Sequence, residues 1–563
     1  MTPSLSRRCS LVLSAGLAAV LLVLGAPPPA EAGAMIPIAG DPVFTQGGQV
    51  AGTRLDSGVK AYLGIPFAKP PTQNLRWRPP EPIHWQGVWN ADHKAPECIQ
   101  VLRPHNINHY FGEEATSEDC LYLNVWTPPK ATAASKLPVI VFIYGGGFTI
   151  GSSGSALYDG EALAKRGAVF VNLNYRLGLL GFMAHPELTK EQGGHSGDYA
   201  LMDQSAALHW VHDNIAQFGG DPSKVIIMGQ SAGASSVAAQ IFSPLSRGLF
   251  RGAVMSSVCN YSDSTALMKA GDLASGEQVG LQVQQRLGAA DLAQLRLIPA
   301  DKLLALQAES QVGVNQQGVR AGPIIDGYFM PKSKLAALQA HEAADVPIIA
   351  SSNHEDLDAG SPLARVKTVA EYQALAAQLY GGDAAQFLQL YPASTDADVY
   401  QAGMKAAREQ GLEASSRTCA QLQARYNSSP TYIDLYAHTH PYAPGVKIAD
   451  QDPATAGGYH TADIPYWFDT LDKFNLFRPT RAPQPWDREL IDRMSGALIA
   501  FAETGNPSTP AMPWPAWSAG HEQKLVIDDR THMVDIDVRA MDWLAAHPAA
   551  ALPPAPARVG PRD

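Results

Sequence analysis

The sequence predicts an α/β fold with a large, mostly parallel central sheet, helices on both faces and helical cap insertions. Short apolar runs bounded by turn residues are typical of buried strands, and they occur at 137–144, 168–174, 224–228, 253–257, 346–350, 431–436 and 524–527. Helical patterns at 160–166, 199–217 and 232–242 lie between these runs, and such alternation favours parallel strands. The segment 264–344 is rich in Leu, Ala and Gln, which predicts helices that cap the sheet.

Length and composition indicate one large globular unit. The 563 residues are 46% hydrophobic and 17% charged, a balance that suits an extensive buried core. We expect a leader at 1–32, a single α/β domain at 33–544 and a disordered, proline-containing tail at 545–563. A net charge of −11 argues against phosphate-backbone binding, which needs clustered Lys and Arg, so no nucleic-acid partner is expected.

The N-terminus has the pattern of a signal peptide. Arg7 and Arg8 precede an apolar run at 11–24, which is too short to span a bilayer comfortably. Prolines follow, and a small-x-small pattern ends at Ala32, so we expect cleavage near Ala32 and an exported protein, either secreted or periplasmic. The paired arginines leave both the general and the twin-arginine export routes open. No other stretch is apolar enough to predict stable membrane insertion.

Export makes disulfides possible, and four cysteines remain after the leader: Cys98, Cys120, Cys259 and Cys419. Four cysteines allow three pairings. Cys98 and Cys120 are close in sequence and flank a loop, which favours a bridge between them. Cys259 and Cys419 are interpreted either as a second bridge or as two buried free thiols.

The strongest local pattern is residues 229–233 (GQSAG), which follow a predicted strand and open a predicted helix. This context is typical of a nucleophile elbow centred on Ser231. The turn is tight, so small residues must flank the serine two positions away on each side. Backbone N–H groups at the helix start can then stabilise negative charge. The alternative is a glycine-lined turn with a structural serine.

A glycine run at 145–147 directly follows the predicted strand 137–144. Glycines let backbone N–H groups approach a substrate oxygen closely, so this run is the expected second half of an oxyanion hole. The alternative, a flexible loop, fits poorly with an apolar strand on one side and Phe148 on the other.

Several further motifs resemble those of the type-B carboxylesterase and cholinesterase family: EDCLYLNV at 118–125, NYRLG at 174–178, GDYALMDQ at 197–204, FGGDP at 218–222 and TGNP at 504–507. The resemblance covers most of the mature chain. It implies the α/β-hydrolase fold and a serine carboxylesterase that hydrolyses small-molecule carboxylic esters through an acyl-enzyme, with no cofactor and no metal. It also implies a disulfide between Cys98 and Cys120, and an oxyanion hole formed by the N–H groups of Gly146, Gly147 and Ala232.

The order of catalytic residues in this fold is serine, acid, histidine. The strand 346–350 leads into a stretch similar to the family's GxNxxE, and placing Asn353 on the family's Asn predicts Asp356 as the acid. The family mostly has Glu there, and Asp withdraws the carboxylate by about one C–C bond, roughly 1.5 Å. The backbone of the loop or the histidine must therefore lie closer to make up for the shorter side chain. Adjacent Glu355 is the alternative acid if the loop is shifted by one residue relative to the family motif.

The histidine is predicted from residues 457–468, which resemble the family's GxxHxxExxyvF and make His460 the general base. Asp463 stands at the family's additional acidic position, where Glu is usual. Gln230 stands where the family often has Glu, so the nucleophile's neighbour is a neutral amide.

Other interpretations are less well supported. Two histidine pairs, His105 with His109 and His438 with His440, lack a third ligand cluster, so no metal site is predicted. A lipase would need an apolar lid, for which the region between Cys98 and Cys120 is the natural place. A non-catalytic binding protein on the same fold is the remaining alternative. The ester and the oligomeric state, monomer or homo-oligomer, are left open.

Overall fold

An eleven-stranded sheet forms the centre of the chain in this computed structural model, which describes residues 36–101, 115–261, 271–311 and 319–552. From one edge to the other the strands are His532–Asp535, Gln523–Ile527, Thr431–Tyr436, Ile348–Asn353, Gly252–Ser256, Gly220–Gln230, Leu137–Ile143, Val169–Leu173, Tyr122–Thr127, Lys60–Pro66 and Thr53–Arg54. Three small sheets accompany it: Val43–Phe44 with Gln49–Ala51 and Val88–Asn90, Glu97–Cys98 with Thr116–Ser117, and Gly271–Asp272 with Ile324–Ile325.

The inner part of the sheet is parallel and its edges are antiparallel. Parallel pairing runs without interruption from Gln523–Ile527 to Val169–Leu173. The strands beyond these two pair antiparallel. The central strands are mostly apolar and are buried along nearly all of their length, as parallel strands covered on both faces require. The predicted fold class is therefore confirmed.

Helices cover both faces of the sheet. The α-helices are Glu161–Lys165, Gly178–Phe182, Pro186–Glu191, Tyr199–Asn214, Ala232–Phe242, Leu273–Leu287, Leu292–Leu297, Ala300–Gln311, Lys334–Gln339, Pro362–Arg365, Val369–Tyr380, Ala384–Leu390, Asp396–Gln410, Leu412–Tyr426, Ile464–Phe468, Pro485–Thr504 and Val538–Ala546. Short 3₁₀ helices lie at Gln73–Leu75, Ala156–Tyr158, Ile215–Phe218, Pro244–Ser246, Leu357–Gly360, Gly381–Asp383 and Leu471–Asn475.

The helix Pro485–Thr504 shows how local sequence sets the element boundaries. Proline occupies the first turn, where its missing N–H has no intrahelical acceptor in any case. Gln484 and Asp487 form a reciprocal capping box at the start. Gly505, at a φ of 78°, ends the helix in the left-handed conformation that glycine adopts without strain.

Two disulfides join the described residues. Cys98 pairs with Cys120, as the resemblance implied. Cys259 pairs with Cys419 across 160 positions, which decides between the bridge and the two free thiols. The second bridge ties the segment after the strand Gly252–Ser256 to the helix Leu412–Tyr426.

Two boundaries differ from expectation. The strand predicted at 224–228 runs from Gly220 to Gln230, with a shift of pairing register between Gly220 and Val225. Residues 545–552 of the predicted tail differ from expectation, because Ala549 and Leu552 pack against an apolar cluster that includes Phe387. Their apolar contacts and the hydrogen bond from Ala550 N–H to the Leu379 carbonyl hold this segment.

The predicted signal peptide and residues 553–563 lie outside the described residues. Within the described ranges, no helix has both the length and the apolar character that crossing a membrane requires.

Candidate active site

Ser231, the predicted nucleophile, lies between the strand Gly220–Gln230 and the helix Ala232–Phe242. Its backbone has φ 58° and ψ −123°, a conformation that residues other than glycine rarely adopt. The Ser231 N–H donates to the Ser256 carbonyl at 2.9 Å, and the Ser235 N–H donates to the Ser231 carbonyl at 3.1 Å. These bonds hold the strained serine at the carboxyl edge of the sheet, where the helix begins.

The glycines that flank Ser231 are required by close backbone approach. A Cβ added at Gly229 would lie 2.1 Å from the Gly233 carbonyl oxygen. A Cβ added at Gly233 would lie 2.1 Å from the Ile143 carbonyl oxygen, on the neighbouring strand. Both distances are far inside van der Waals contact. The need for small residues on each side of the serine is therefore confirmed, and its cause is the packing of this turn against itself and the next strand.

The glycine loop 145–147 lies directly against the nucleophile turn. A Cβ added at Gly145 would lie 2.3 Å from the Gln230 carbonyl oxygen. Gly146 and Gly147 have φ values of 113° and 62°, which side chains other than hydrogen disfavour.

The loop leaves backbone donors available. Among the described residues, neither the Gly146 N–H nor the Gly147 N–H has a hydrogen-bond acceptor. The Ala232 N–H lies at the first position of its helix, where no intrahelical acceptor exists. Donors in this arrangement can bind an anionic oxygen.

His460 and Asp356 form a direct hydrogen bond, with 2.5 Å between Nδ1 and Oδ1. The Asp356 side chain is fully buried, whereas the ring is 23% exposed. The same carboxylate accepts the N–H groups of Asn353, at 3.1 Å, and Leu357, at 2.8 Å. Because Nδ1–H donates to a fixed carboxylate, the lone pair of the neutral ring lies on Nε2. The shorter aspartate therefore reaches the histidine without an intervening group.

Charge around the ring changes its affinity for a proton. Burial by itself lowers the pKa of His460, because it disfavours the cation. The negative charge and the hydrogen bond of Asp356 act in the opposite direction, and Asp463 and Asp358 add to them. The net result raises the pKa of His460 above its ordinary value of 6.5.

Glu355, the alternative acid, contacts different groups. Its carboxylate accepts the Gly458 N–H at 2.7 Å and the Tyr400 hydroxyl at 3.3 Å. It also lies 2.7 Å from Nδ1 of His354. Burial opposes its charge, but these hydrogen bonds and the charge of His354 hold the pKa of Glu355 below its ordinary value. The structure thus brings Asp356, and not Glu355, to the ring of His460.

Gln230 contacts His460 in a way that sequence reasoning missed. Its side-chain nitrogen lies 3.2 Å from Nε2 of the ring, and the residue is 2% exposed. Within the described ranges, the Ser231 hydroxyl makes no hydrogen bond to the ring. The signal in the sequence was the position of Gln230 beside the serine, where the family often has a charged residue.

Asp463 connects the His460 loop to two strand ends. It accepts the Ser256 hydroxyl at 2.5 Å and the Asn353 side-chain amide at 3.1 Å. It is fully buried, and burial raises its pKa. The aspartate therefore fixes the loop that carries His460 relative to the strands Gly252–Ser256 and Ile348–Asn353.

The other histidines belong to separate contacts. His438 lies 3.2 Å from Asp487, whereas His440 lies 2.7 Å from the Ala462 carbonyl oxygen. His105 and His109 lie outside the described residues. In the part of the chain that the structure describes, no group of three or more His, Cys, Asp or Glu side chains is arranged to hold a metal ion.

Comparison with known proteins places this chain in a family. The model of the carboxylesterase family matches residues 40–543. Fumonisin B1 esterase of Sphingopyxis macrogoltabida is 37% identical over 472 residues, which cover 82% of each chain. Para-nitrobenzyl esterase of Bacillus subtilis (strain 168) is 32% identical over 493 residues, 86% of this chain and 94% of that protein.

Solved structures agree with the sequence comparison. A structure of PNB esterase superimposes with a TM-score of 0.69 at 29% identity, covering 89% of this chain and 98% of that one. A thermophilic PNB esterase gives 0.70 at 29% identity, covering 89% and 99%. The resemblance found in the sequence motifs is confirmed, and the chain is a carboxylic-ester hydrolase that belongs to the carboxylesterase family.

Proposed function

We propose that this chain is an exported serine carboxylesterase that hydrolyses small-molecule carboxylic esters through Ser231, His460 and Asp356. The observation that carries the proposal is the 2.5 Å contact between His460 and the buried Asp356, beside a serine in a strained strand-to-helix turn. Strain of this kind persists where the surrounding structure enforces it, as it does at many active sites.

Acylation follows from these groups. His460 removes the Ser231 proton through Nε2, and the serine oxygen attacks the ester carbonyl carbon. Asp356 holds the ring through Nδ1 and stabilises the imidazolium that forms. The N–H groups of Gly146, Gly147 and Ala232 bind the oxyanion, where removal of a single donor typically costs about 3 kcal/mol. The imidazolium then gives its proton to the leaving alcohol.

Deacylation repeats the same steps with water. His460 removes a proton from water, which attacks the acyl-enzyme, and Ser231 leaves with the proton returned by the ring. The Gln230 amide contacts Nε2 in this structure. This amide must rotate away before the ring accepts the Ser231 proton. The hydrogen bond between Ser231 and the ring then tightens, as catalytic hydrogen bonds in enzymes often do when substrate binds.

The test of this function is turnover combined with covalent labelling. The mature protein is expected to hydrolyse p-nitrophenyl acetate and butyrate, and a dialkyl p-nitrophenyl phosphate is expected to inactivate it with one equivalent bound. Peptide mass spectrometry should locate the phosphoryl group on Ser231. A folded protein with neither turnover nor labelling would contradict the proposal.

The rate is expected to depend on pH with an acid limb. Protonated His460 cannot act as a base, so kcat/KM falls as pH drops through its raised pKa, with a midpoint above pH 6.5. Gln230→Glu places a negative charge near the ring, which stabilises the imidazolium and moves the midpoint to higher pH. Gln230→Met removes the amide without adding charge and is the control. A rate that stays flat from pH 5 to 8, with acylation limiting, would exclude His460 as the base.

Export is supported by the two disulfides, because such bonds persist in oxidising compartments. The lid that a lipase would need falls largely on residues 102–114, outside the described residues. A binding protein without activity is disfavoured by the presence of the serine, the histidine and the acid together.

A further inference from the structure

Glu355 joins the loop that carries Asp356 to the loop that carries His460. Its backbone N–H donates to the Gly458 carbonyl at 2.9 Å, and its carboxylate accepts the Gly458 N–H at 2.7 Å. Gly458 lies two positions before His460, whereas Asp356 directly follows Glu355. One residue therefore makes main-chain and side-chain hydrogen bonds that hold the two loops side by side.

The carboxylate of Glu355 packs closely against the His460 loop. A Cβ added at Gly457 would lie 2.0 Å from Oε2 of Glu355, so the glycine leaves the space that the carboxylate occupies. The Glu355 side chain is only 14% exposed, and a charged group that loses most of its hydration needs fixed donors in place of water. The Gly458 N–H is one such donor, and the Tyr400 hydroxyl, at 3.3 Å, is another.

His354 and Arg408 also hold this carboxylate in place. Nδ1 of His354 lies 2.7 Å from Oε1 of Glu355, and Nε2 of the same ring lies 3.0 Å from Nη1 of Arg408. In its neutral form the ring accepts from the guanidinium at Nε2 and donates to the carboxylate from Nδ1. The ring therefore links Glu355 to Arg408 in one orientation.

Arg408 is itself anchored in the core. It is 7% exposed, and its Nε donates to Glu413 at 2.8 Å. Glu413 also accepts from Lys524 on the strand Gln523–Ile527. Burial opposes the charge of Glu413, but the charges of Lys524 and Arg408 lower its pKa to about 2, so it stays ionised. The contacts thus continue from the central sheet to the backbone of the His460 loop.

We propose that Glu355 is a positioning residue: it fixes the His460 loop against the Asp356 loop and so sets the contact between the two catalytic side chains. The inference rests on the proposed hydrolysis at Ser231. No bond to Glu355 forms or breaks in the reaction. A displacement of about 1 Å between catalytic groups can cost about 100-fold in rate, so a small movement of one loop is enough to slow the reaction.

The alignment can be measured because the pKa of His460 depends on its contact with Asp356. Burial lowers the pKa of the ring, whereas the charge and hydrogen bond of Asp356 raise it, and the charges of Asp463 and Asp358 add to that effect. If the loops move apart, the contact lengthens and the pKa of His460 falls. The acid limb of kcat/KM then shifts to lower pH. A loss of stability alone leaves this midpoint unchanged.

The experiment compares Glu355→Ala and Glu355→Gln with the wild type in hydrolysis of p-nitrophenyl butyrate, with active sites counted by a dialkyl p-nitrophenyl phosphate. Glu355→Ala is expected to lower kcat per active site about 100-fold, to leave KM within about threefold and to lower the acid midpoint by about half a pH unit. Glu355→Gln keeps an acceptor for the Gly458 N–H, so kcat should stay within about tenfold and the midpoint should stay at its wild-type position.

Glu522→Ala is the matched control for the loss of a mostly buried carboxylate. The Glu522 side chain is 10% exposed and accepts two hydrogen bonds from Arg417, at 2.7 and 2.9 Å. This variant should lower the temperature of unfolding and leave kcat and the midpoint unchanged. If Glu355→Ala does not fold, His354→Ala takes its place, with kcat about fivefold lower and the midpoint moved in the same direction.

Three results overturn the inference and differ in what else they affect. If Glu355→Ala, or His354→Ala in its place, keeps either the wild-type kcat per active site or the wild-type midpoint, Glu355 does not position the loop and the serine esterase stands. If both Glu355 variants lower kcat about 10⁴-fold, Glu355 is the acid of the triad. If the folded wild type is neither active nor labelled, the proposed function fails together with the inference.

Discussion

Ser231→Ala is expected to lower kcat for p-nitrophenyl butyrate by about 10⁴- to 10⁶-fold, because the variant has no oxygen to form the acyl-enzyme. The residual rate would come from the oxyanion donors and from substrate binding alone. Alanine fits the space of serine, so the fold should persist, as circular dichroism and thermal unfolding can verify. The rate of p-nitrophenol release, followed by stopped-flow or steady-state absorbance, measures the effect.

Ser236→Ala is the matched control for this variant. Ser236 lies on the same helix, and its hydroxyl accepts the Gln204 side-chain amide at 3.0 Å. Its loss removes one buried hydrogen bond, worth about 1 kcal/mol of stability, and should leave kcat within about threefold of wild type. A Ser231→Ala protein that keeps a tenth of the activity or more would show that another group is the nucleophile.

Asp356→Asn is expected to lower kcat about 10⁴-fold. The amide can still contact Nδ1 of His460, but it cannot stabilise the imidazolium, and it favours the wrong tautomer of the ring. The substrate KM should change much less than kcat, because the Asp356 side chain is fully buried and contacts the ring of His460.

Glu355→Gln separates the two neighbouring acids. The amide retains an acceptor for the Gly458 N–H, so the loop should keep its position and kcat should stay within about tenfold of wild type. If Glu355→Gln abolishes the rate while Asp356→Asn retains it, the acid is Glu355 and the loop is one residue out of register in solution.

The nucleophile turn and the glycine loop could be predicted because each is a short run of residues that directly follows an apolar strand. Gly229 and Gly233 lie within two residues of Ser231, and the backbone atoms that exclude a Cβ at Gly229 belong to the same turn. The strand-turn-helix order around them follows from apolar periodicity, which is also local. These features would be recognisable in a short fragment of the chain.

Other features depend on how distant elements meet. The bridge between Cys259 and Cys419 joins residues 160 positions apart, and the spacing of the cysteines left two alternatives. The packing of residues 549–552 depends on apolar contacts of Leu552 with helices far away in sequence. Neither the amino-acid composition of this C-terminal segment nor its prolines indicate these contacts.

The sequence by itself predicted the fold class, which is confirmed, and it named the candidate nucleophile, histidine and glycine donors, since each follows from a local pattern or from its resemblance to a known motif. Only the tertiary structure decided that Asp356 reaches a ring 104 positions away, that Glu355 turns toward Gly458, and that the Gln230 amide lies on the ring. The physical reason is directional: adjacent side chains on a loop point to different partners, and which partner each one meets depends on the packing of strands that are remote in sequence.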